Sequence, residues 1–168
     1  FDRELTIPNY QFAGEQISSF SELGYALHGE KLEWVTGINL WTNQFRESPI
    51  GQNHALRDYD LTTFGAFLQN TWNVSSKLAL ETGLRADYQN ELGGFVLPKV
   101  SVLYKWNDKL TSRLGGGMGY QTPTVFIDES ERVLFRNVRP LAFENIRAET
   151  SEGLNFDVLM GISAPFVA

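Results

Sequence analysis

A period of two in apolar character, held over stretches of about 10 to 12 residues with no competing helical period, is the feature that most constrains this chain. From Lys77 to Tyr88 one parity carries Leu78, Leu80, Thr82, Leu84, Ala86 and Tyr88, and the other Lys77, Ala79, Glu81, Gly83, Arg85 and Asp87. Successive side chains of a strand point to opposite faces, so the stretch has one apolar and one charged face. Phe95 to Trp106 sorts more loosely, with Val96, Pro98, Val100, Val102, Tyr104 and Trp106 opposite Phe95, Leu97, Lys99, Ser101, Leu103 and Lys105; Leu110 to Tyr120 sets Leu110, Leu114, Met118 and Tyr120 against Thr111, Arg113 and three glycines. Leu154, Phe156, Val158 and Met160 likewise oppose Glu149, Asn155 and Asp157. Weaker alternation upstream brings the total to about seven strands. The pattern predicts an all-β chain, an antiparallel up-and-down meander with strands at about 18–27, 32–42, 61–72, 77–88, 95–106, 110–121 and 149–160. Residues 1–17 are left as a loop or strand remnant and 161–168 as a truncated tail.

The connections carry a second pattern. His28-Gly29-Glu30, Asn73-Val74-Ser75-Ser76 and Asn107-Asp108-Lys109 are tight polar turns, while the links at 43–60, 89–94 and 122–148 between them are longer. In a meander every second connection emerges on the same side, so short turns gather at one rim and long loops at the other. That asymmetry, with strands long enough to cross a bilayer at a tilt, is the signature of a bacterial outer-membrane barrel. Trp72 and Trp106 by the short turns, with Tyr88 and Tyr120 at the opposite strand ends, all fall on the apolar parity, as the two aromatic girdles of such a barrel require. A soluble β-sandwich binding module also alternates, its apolar face being a core, but it gives no reason for the alternation in loop length.

Composition removes other classes. With no cysteine among the 168 residues, disulfide scaffolds, Cys-ligated metal sites and thiol catalysis are excluded. A net charge of -6 argues against a nucleic-acid partner. The apolar runs are far short of the roughly 20 residues of a membrane helix. No Gly-x-Ser-x-Gly, His-Glu-x-x-His or phosphate-loop motif is present, and the chain reads as having no catalytic residues, metal site or cofactor. Gly115-Gly116-Gly117-Met118-Gly119 continues a strand and opens no helix; its glycines are read as leaving room for something packed inside a barrel.

The run from Trp72 to Tyr120 resembles the C-terminal barrel of TonB-dependent outer-membrane receptors. The resemblance rests on Gly-Leu-Arg at 83–85 followed by Asp87-Tyr88, on Leu-Pro-Lys at 97–99, on Gly-Tyr-Gln-Thr-Pro-Thr at 119–124, and on Ala148 to Asn155 as a strand opening after a long loop. It covers about 61 to 158, and Gln121 stands where the family carries an arginine before its proline motif. The resemblance implies an energy-coupled receptor for scarce nutrients of the iron-chelate, cobalamin or glycan class, in the bacterial outer membrane. It also implies a barrel of about 22 strands filled by an N-terminal plug. Neither plug nor coupling box is recognisable here, so the chain is expected to be a segment of such a receptor. The implied partners are outer-membrane lipid, the plug domain of the same parent chain, the TonB complex through the N-terminal region, and a small-molecule or glycan substrate. A small structural barrel of eight strands remains the other membrane reading.

Two groups of residues are the site candidates. Glu81, Arg85, Asp87, Lys99, Arg113, Glu149 and Asp157 are expected to face the lumen. Asp128, Glu129, Arg132, Arg136 and Arg139 lie in the longest loop, where an architecture of this kind selects its ligand.

Overall fold

The computed structural model describes residues 2–7, 10–48, 56–123 and 140–160, with side chains from Phe12 onward. Eight strands, β1 (Asp2–Ile7), β2 (Tyr10–His28), β3 (Leu32–Glu47), β4 (Tyr59–Asn73), β5 (Leu78–Gln89), β6 (Gly93–Asn107), β7 (Leu110–Gln121) and β8 (Glu149–Met160), form one sheet in chain order. Every neighbouring pair is antiparallel. The short β1 lies within the first 17 residues, where the alternation alone marked no strand.

The register turns the sequence pattern into two faces. Leu80, Val102, Leu114 and Phe156 fall in one row across β5 to β8; Glu81, Ser101, Gly115 and Asn155 fall in the next. The second parity, followed back through Asp87, Gly65 and Asn39, carries the buried residues of the sheet and is called the inner face. The other, outer face exposes Leu23, Tyr25, Ile38, Leu68, Leu84, Val100 and Phe156. In water an apolar surface of this extent would be a strong drive to associate, whereas a bilayer solvates it.

Side chains close the turns at one end of the sheet. Ser75 Oγ accepts from the amides of Lys77 and Leu78 at 3.2 and 3.1 Å, and Asn107 Oδ1 from those of Lys109 and Leu110 at 2.9 and 3.0 Å. At the other end the link expected to be long at 89–94 is instead a three-residue turn, Asn90 to Leu92. Gln89 Oε1 accepts from the Glu91 and Leu92 amides at 3.0 and 2.6 Å, and Gly93 adopts a φ of 86° that a side-chain-bearing residue would resist. The contrast between the rims therefore rests on the β3–β4 and β7–β8 links.

β2, β3 and β4 also run further than the alternation indicated. Beyond the span of about 9 to 11 residues that crosses a bilayer, their polarity inverts. Glu15, Gln44, Arg46 and Asp60 occupy the outer face there, while Phe12, Phe45, Tyr59 and Leu61 form a buried inner cluster. The Phe45 ring lies 6.2 Å from Phe12 and 5.6 Å from Tyr59. Leu141 and Phe143, from the link between β7 and β8, pack on this cluster. The described end of that link thus reaches back over the inner face to β2–β4.

Candidate functional site

Around β5 the inner face is polar, and four of its charges pair with one another. On β5, Arg85 and Asp87 are two residues apart and so point the same way; Arg85 Nε donates to both Asp87 oxygens at 2.8 and 2.9 Å. The guanidinium also donates to Asn39 Oδ1 at 3.2 Å, across the gap that Gly65 leaves on the intervening strand. Asn39 is 3% exposed, and its Nδ2 has no acceptor among the described residues. One step down the wall Lys99 Nζ meets Glu81 Oε1 at 3.0 Å, its methylenes lying over Gly83.

These contacts change the reading of the glycines. The space beside Gly83 and Gly117 is filled by Lys99, that beside Gly115 by Asn155, and that beside Gly37 by Phe67. The room is taken by side chains of neighbouring strands, not left open to the interior. At Gly65 an added methyl would come within 2.6 Å of Asn39 Oδ1 and collide with the Asp87 carboxylate. In the intact protein Gly65→Ala is expected to cost about 1 to 3 kcal/mol of stability through the strain of overpacking. A urea titration monitored by loss of folded barrel checks this; an unchanged midpoint would mean that the network yields without cost.

All seven residues expected on the charged face lie on the inner parity. Arg85 joins Asp87 and Lys99 joins Glu81, Arg113 stands directly opposite Asp157, and Glu149 sits alone of the set at the far end of β8, opposite Gln121. Asp128, Glu129, Arg132, Arg136 and Arg139 lie outside the described residues.

Tyr120 departs from its expected place in the outer girdle. Its ring stacks on Phe95 with centroids 4.0 Å apart, and its hydroxyl donates to Asp87 Oδ2 at 3.1 Å, both partners being on the inner parity. Pairing of β6 with β7 runs only from Lys99↔Gly117 to Asn107↔Leu110, so the end of β7 has left β6 and the alternation no longer governs which way its side chains turn. Trp72 and Trp106 keep the outer face by the short turns, where Trp106 Nε1 donates to Ser112 Oγ at 3.0 Å.

Asn39 and Gly65 carried no motif in the sequence, β3 and β4 alternating too weakly there to single them out, and Tyr120 was read as a girdle residue. Together with Trp41, Asn43, Leu61, Thr63 and Leu97 they surround or adjoin an inner-face cavity of about 480 Å³. Among the described residues that line it the one cation is Arg85, which bonds to Asp87 and Asn39. No group of three or more potential metal ligands exists among the described residues.

Known proteins agree with this architecture. The model of the TonB dependent receptor-like β-barrel family matches residues 3–158. Among solved structures, the siderophore receptor PirA of Pseudomonas aeruginosa superposes with a TM-score of 0.64 at 17% identity, covering 91% of this chain and 29% of that one. A copper transporter, OprC, superposes with a TM-score of 0.67 at 17% identity and the same coverage. The ferric enterobactin receptor PfeA of Pseudomonas aeruginosa gives 0.54 at 16% identity over 68% of this chain and 18% of that one. Comparison with curated proteins finds no match. The chain thus spans under a third of the receptors whose fold it shares, and an unclosed sheet with one apolar and one polar face is what such a share of a barrel wall must be. With the family model covering nearly its whole length, the chain belongs to the TonB-dependent receptor-like β-barrel family, whose members are receptors and transporters of the outer membrane.

Proposed function

We propose that this chain is a wall segment of an energy-coupled uptake receptor in the bacterial outer membrane. Its substrate is a small molecule or glycan, and it performs no catalysis. The observation that carries the reading is the division of the sheet: an exposed apolar face opposite a face whose ions and amides bond to one another. Such a sheet separates hydrocarbon from a polar interior. Glu81, Arg85, Asp87, Lys99, Arg113, Glu149 and Asp157 line that interior and face the plug domain of the parent chain. The TonB complex acts through the parent's N-terminal region.

The link between β7 and β8 takes part in ligand capture at the outer surface, with Asp128, Glu129, Arg132, Arg136 and Arg139 as its contact residues. Its 27 positions, 122–148, exceed what a mere connection needs, and its described end packs Leu141 and Phe143 onto the inner cluster. Deleting 128–139 from the intact receptor is expected to leave barrel assembly nearly unchanged, because loop closure entropy varies slowly with length. Substrate uptake is expected to fall severalfold, read by accumulation of labelled substrate in cells. Wild-type uptake by a fully assembled deletion variant would reduce the loop to a passive connector.

A further inference from the structure

We infer that Tyr120 is a positioning residue for ligand capture: by turning inward it parts the outer end of β7 from β6 and aims the β7–β8 link over the inner face. The inference rests on the uptake reading of that link. Continued beyond Lys99↔Gly117, the register would set Tyr120 opposite Val96 on the outer face. Instead β6 keeps β5 as far as Gln89↔Gly93 and β7 keeps β8 as far as Gln121↔Glu149, so the wall is split between two paired halves. The split begins where the ladder lacks a donor. The Pro98 carbonyl faces β7, 3.1 Å from where a Cβ on Gly117 would stand, and the nitrogen and carbonyl of one strand residue point to the same side. The Pro98 nitrogen therefore faces β7 too, with no hydrogen to give.

A rung without its donor makes further pairing marginal, so side chains can decide it. Those of Tyr120 pull inward. The ring stacks on Phe95 of β6, and the hydroxyl reaches across β6 to Asp87 of β5, whose carboxylate is 2% exposed and already held by Arg85. The consequence lies one residue further on, because the link sets out after Gln121 in whatever direction the end of β7 points. Its return limb is anchored toward the same side, with Leu141 and Phe143 on the cluster of Phe12, Phe45, Tyr59 and Leu61. Leu61 and Tyr120 line one cavity, so the two anchors converge on it. Without the first anchor, position 120 is free to pair with Val96, and the start of the link turns toward the outer face.

The test uses the intact receptor, with gel mobility before and after heating to show that each variant is folded. Amide exchange in detergent is the first readout. Tyr120→Ala is expected to slow exchange at Val96 and Met118, because the released strand end pairs with β6, and to quicken it at 140–148, because the base of the link leaves the inner face. Tyr120→Phe keeps the stack without the hydroxyl and is expected to fall between. Leu154→Ala, on the exposed outer face of β8, is expected to change neither region. Exchange at Val96 and Met118 that quickens or stays the same in Tyr120→Ala is what a merely packing residue gives, and it overturns the inference. Undisturbed exchange at 140–148 also overturns it, since the link would then not follow the strand end.

Uptake into cells is the second readout, with ferric enterobactin, cyanocobalamin and maltoheptaose as probes. For a probe that the receptor transports, Tyr120→Ala is expected to raise the half-saturating concentration roughly fivefold with the maximal rate nearly unchanged, and Tyr120→Phe to restore most of the affinity. An unchanged half-saturating concentration overturns the positioning role and leaves the uptake reading standing. If cells lacking the receptor take up all three probes as before, the uptake reading fails, and the exchange result alone decides whether Tyr120 directs the strand end.

Discussion

An arginine at Leu84 or Val100 is expected to destabilise the intact barrel by about 2 to 4 kcal/mol, and an arginine at Ser101 by far less. Leu84 and Val100 lie near the middles of β5 and β6 on the outer face, 52% and 50% exposed. Their side chains would meet hydrocarbon at the depth where a guanidinium is least easily hydrated. Ser101 is the residue next to Val100 but on the inner face, opposite Glu81, where an added cation gains a carboxylate neighbour. The pair of adjacent positions separates the effect of charge burial from any general intolerance of β6 to change. Folding titrations into bilayers, read by the heat-modifiable mobility of the barrel, measure the difference. Equal losses at Val100 and Ser101 would contradict the assignment of faces.

A second large effect is expected at the outer rim. Glu47 and Arg57 are each 1% exposed in their side chains. Glu47 Oε2 accepts from both the backbone amide and Nε of Arg57 at 2.9 Å, Oε1 accepts from its Nη2, and the guanidinium lies 5.0 Å above the Phe12 ring. Glu47→Ala would take from a buried cation the carboxylate that accepts from it at three points, a loss of up to about 3 kcal/mol. Because these residues sit beside the cluster that Leu141 and Phe143 touch, the loss is expected as local opening, with faster amide exchange in 56–60 and 140–148 and little change at mid-strand. Exchange in the variant as slow as in the parent would show that the rim does not depend on the pair.

How much of this was legible in the sequence follows from where the environment is uniform. Over β5 to β8 one face meets an apolar surrounding along its full length, so Leu80, Leu84, Val102, Leu114 and Phe156 alternate cleanly and their register could be read directly. At the outer ends of β2–β4 the rule reverses: Phe12 and Phe45 turn inward and Glu15 and Arg46 outward, so a search for one polarity stops short. The turn at Asn90 to Leu92 was hidden because its cap is the side chain of Gln89, the last residue of the strand before it.

The site was legible to the same degree. The charges of β5 and β6 declared their face through parity, but their partners did not. Asn39 meets Arg85 through a space that exists only because residue 65, on the one strand between theirs, is glycine. Tyr120 obeys its parity until β7 parts from β6, a divergence set by pairing and not by composition.

The most direct test of the account uses single cysteines, introduced one at a time from position 96 to 103 of β6 in the intact receptor and labelled with an environment-sensitive fluorophore in proteoliposomes. Lipid-borne nitroxide is expected to quench labels at 96, 98, 100 and 102, and aqueous iodide those at 97, 99, 101 and 103, because Val96, Val100 and Val102 share the outer face while Lys99 and Ser101 share the inner. A period of two in this phase is the result the account requires. Quenching of all positions by iodide alone, or alternation in the opposite phase, would contradict it.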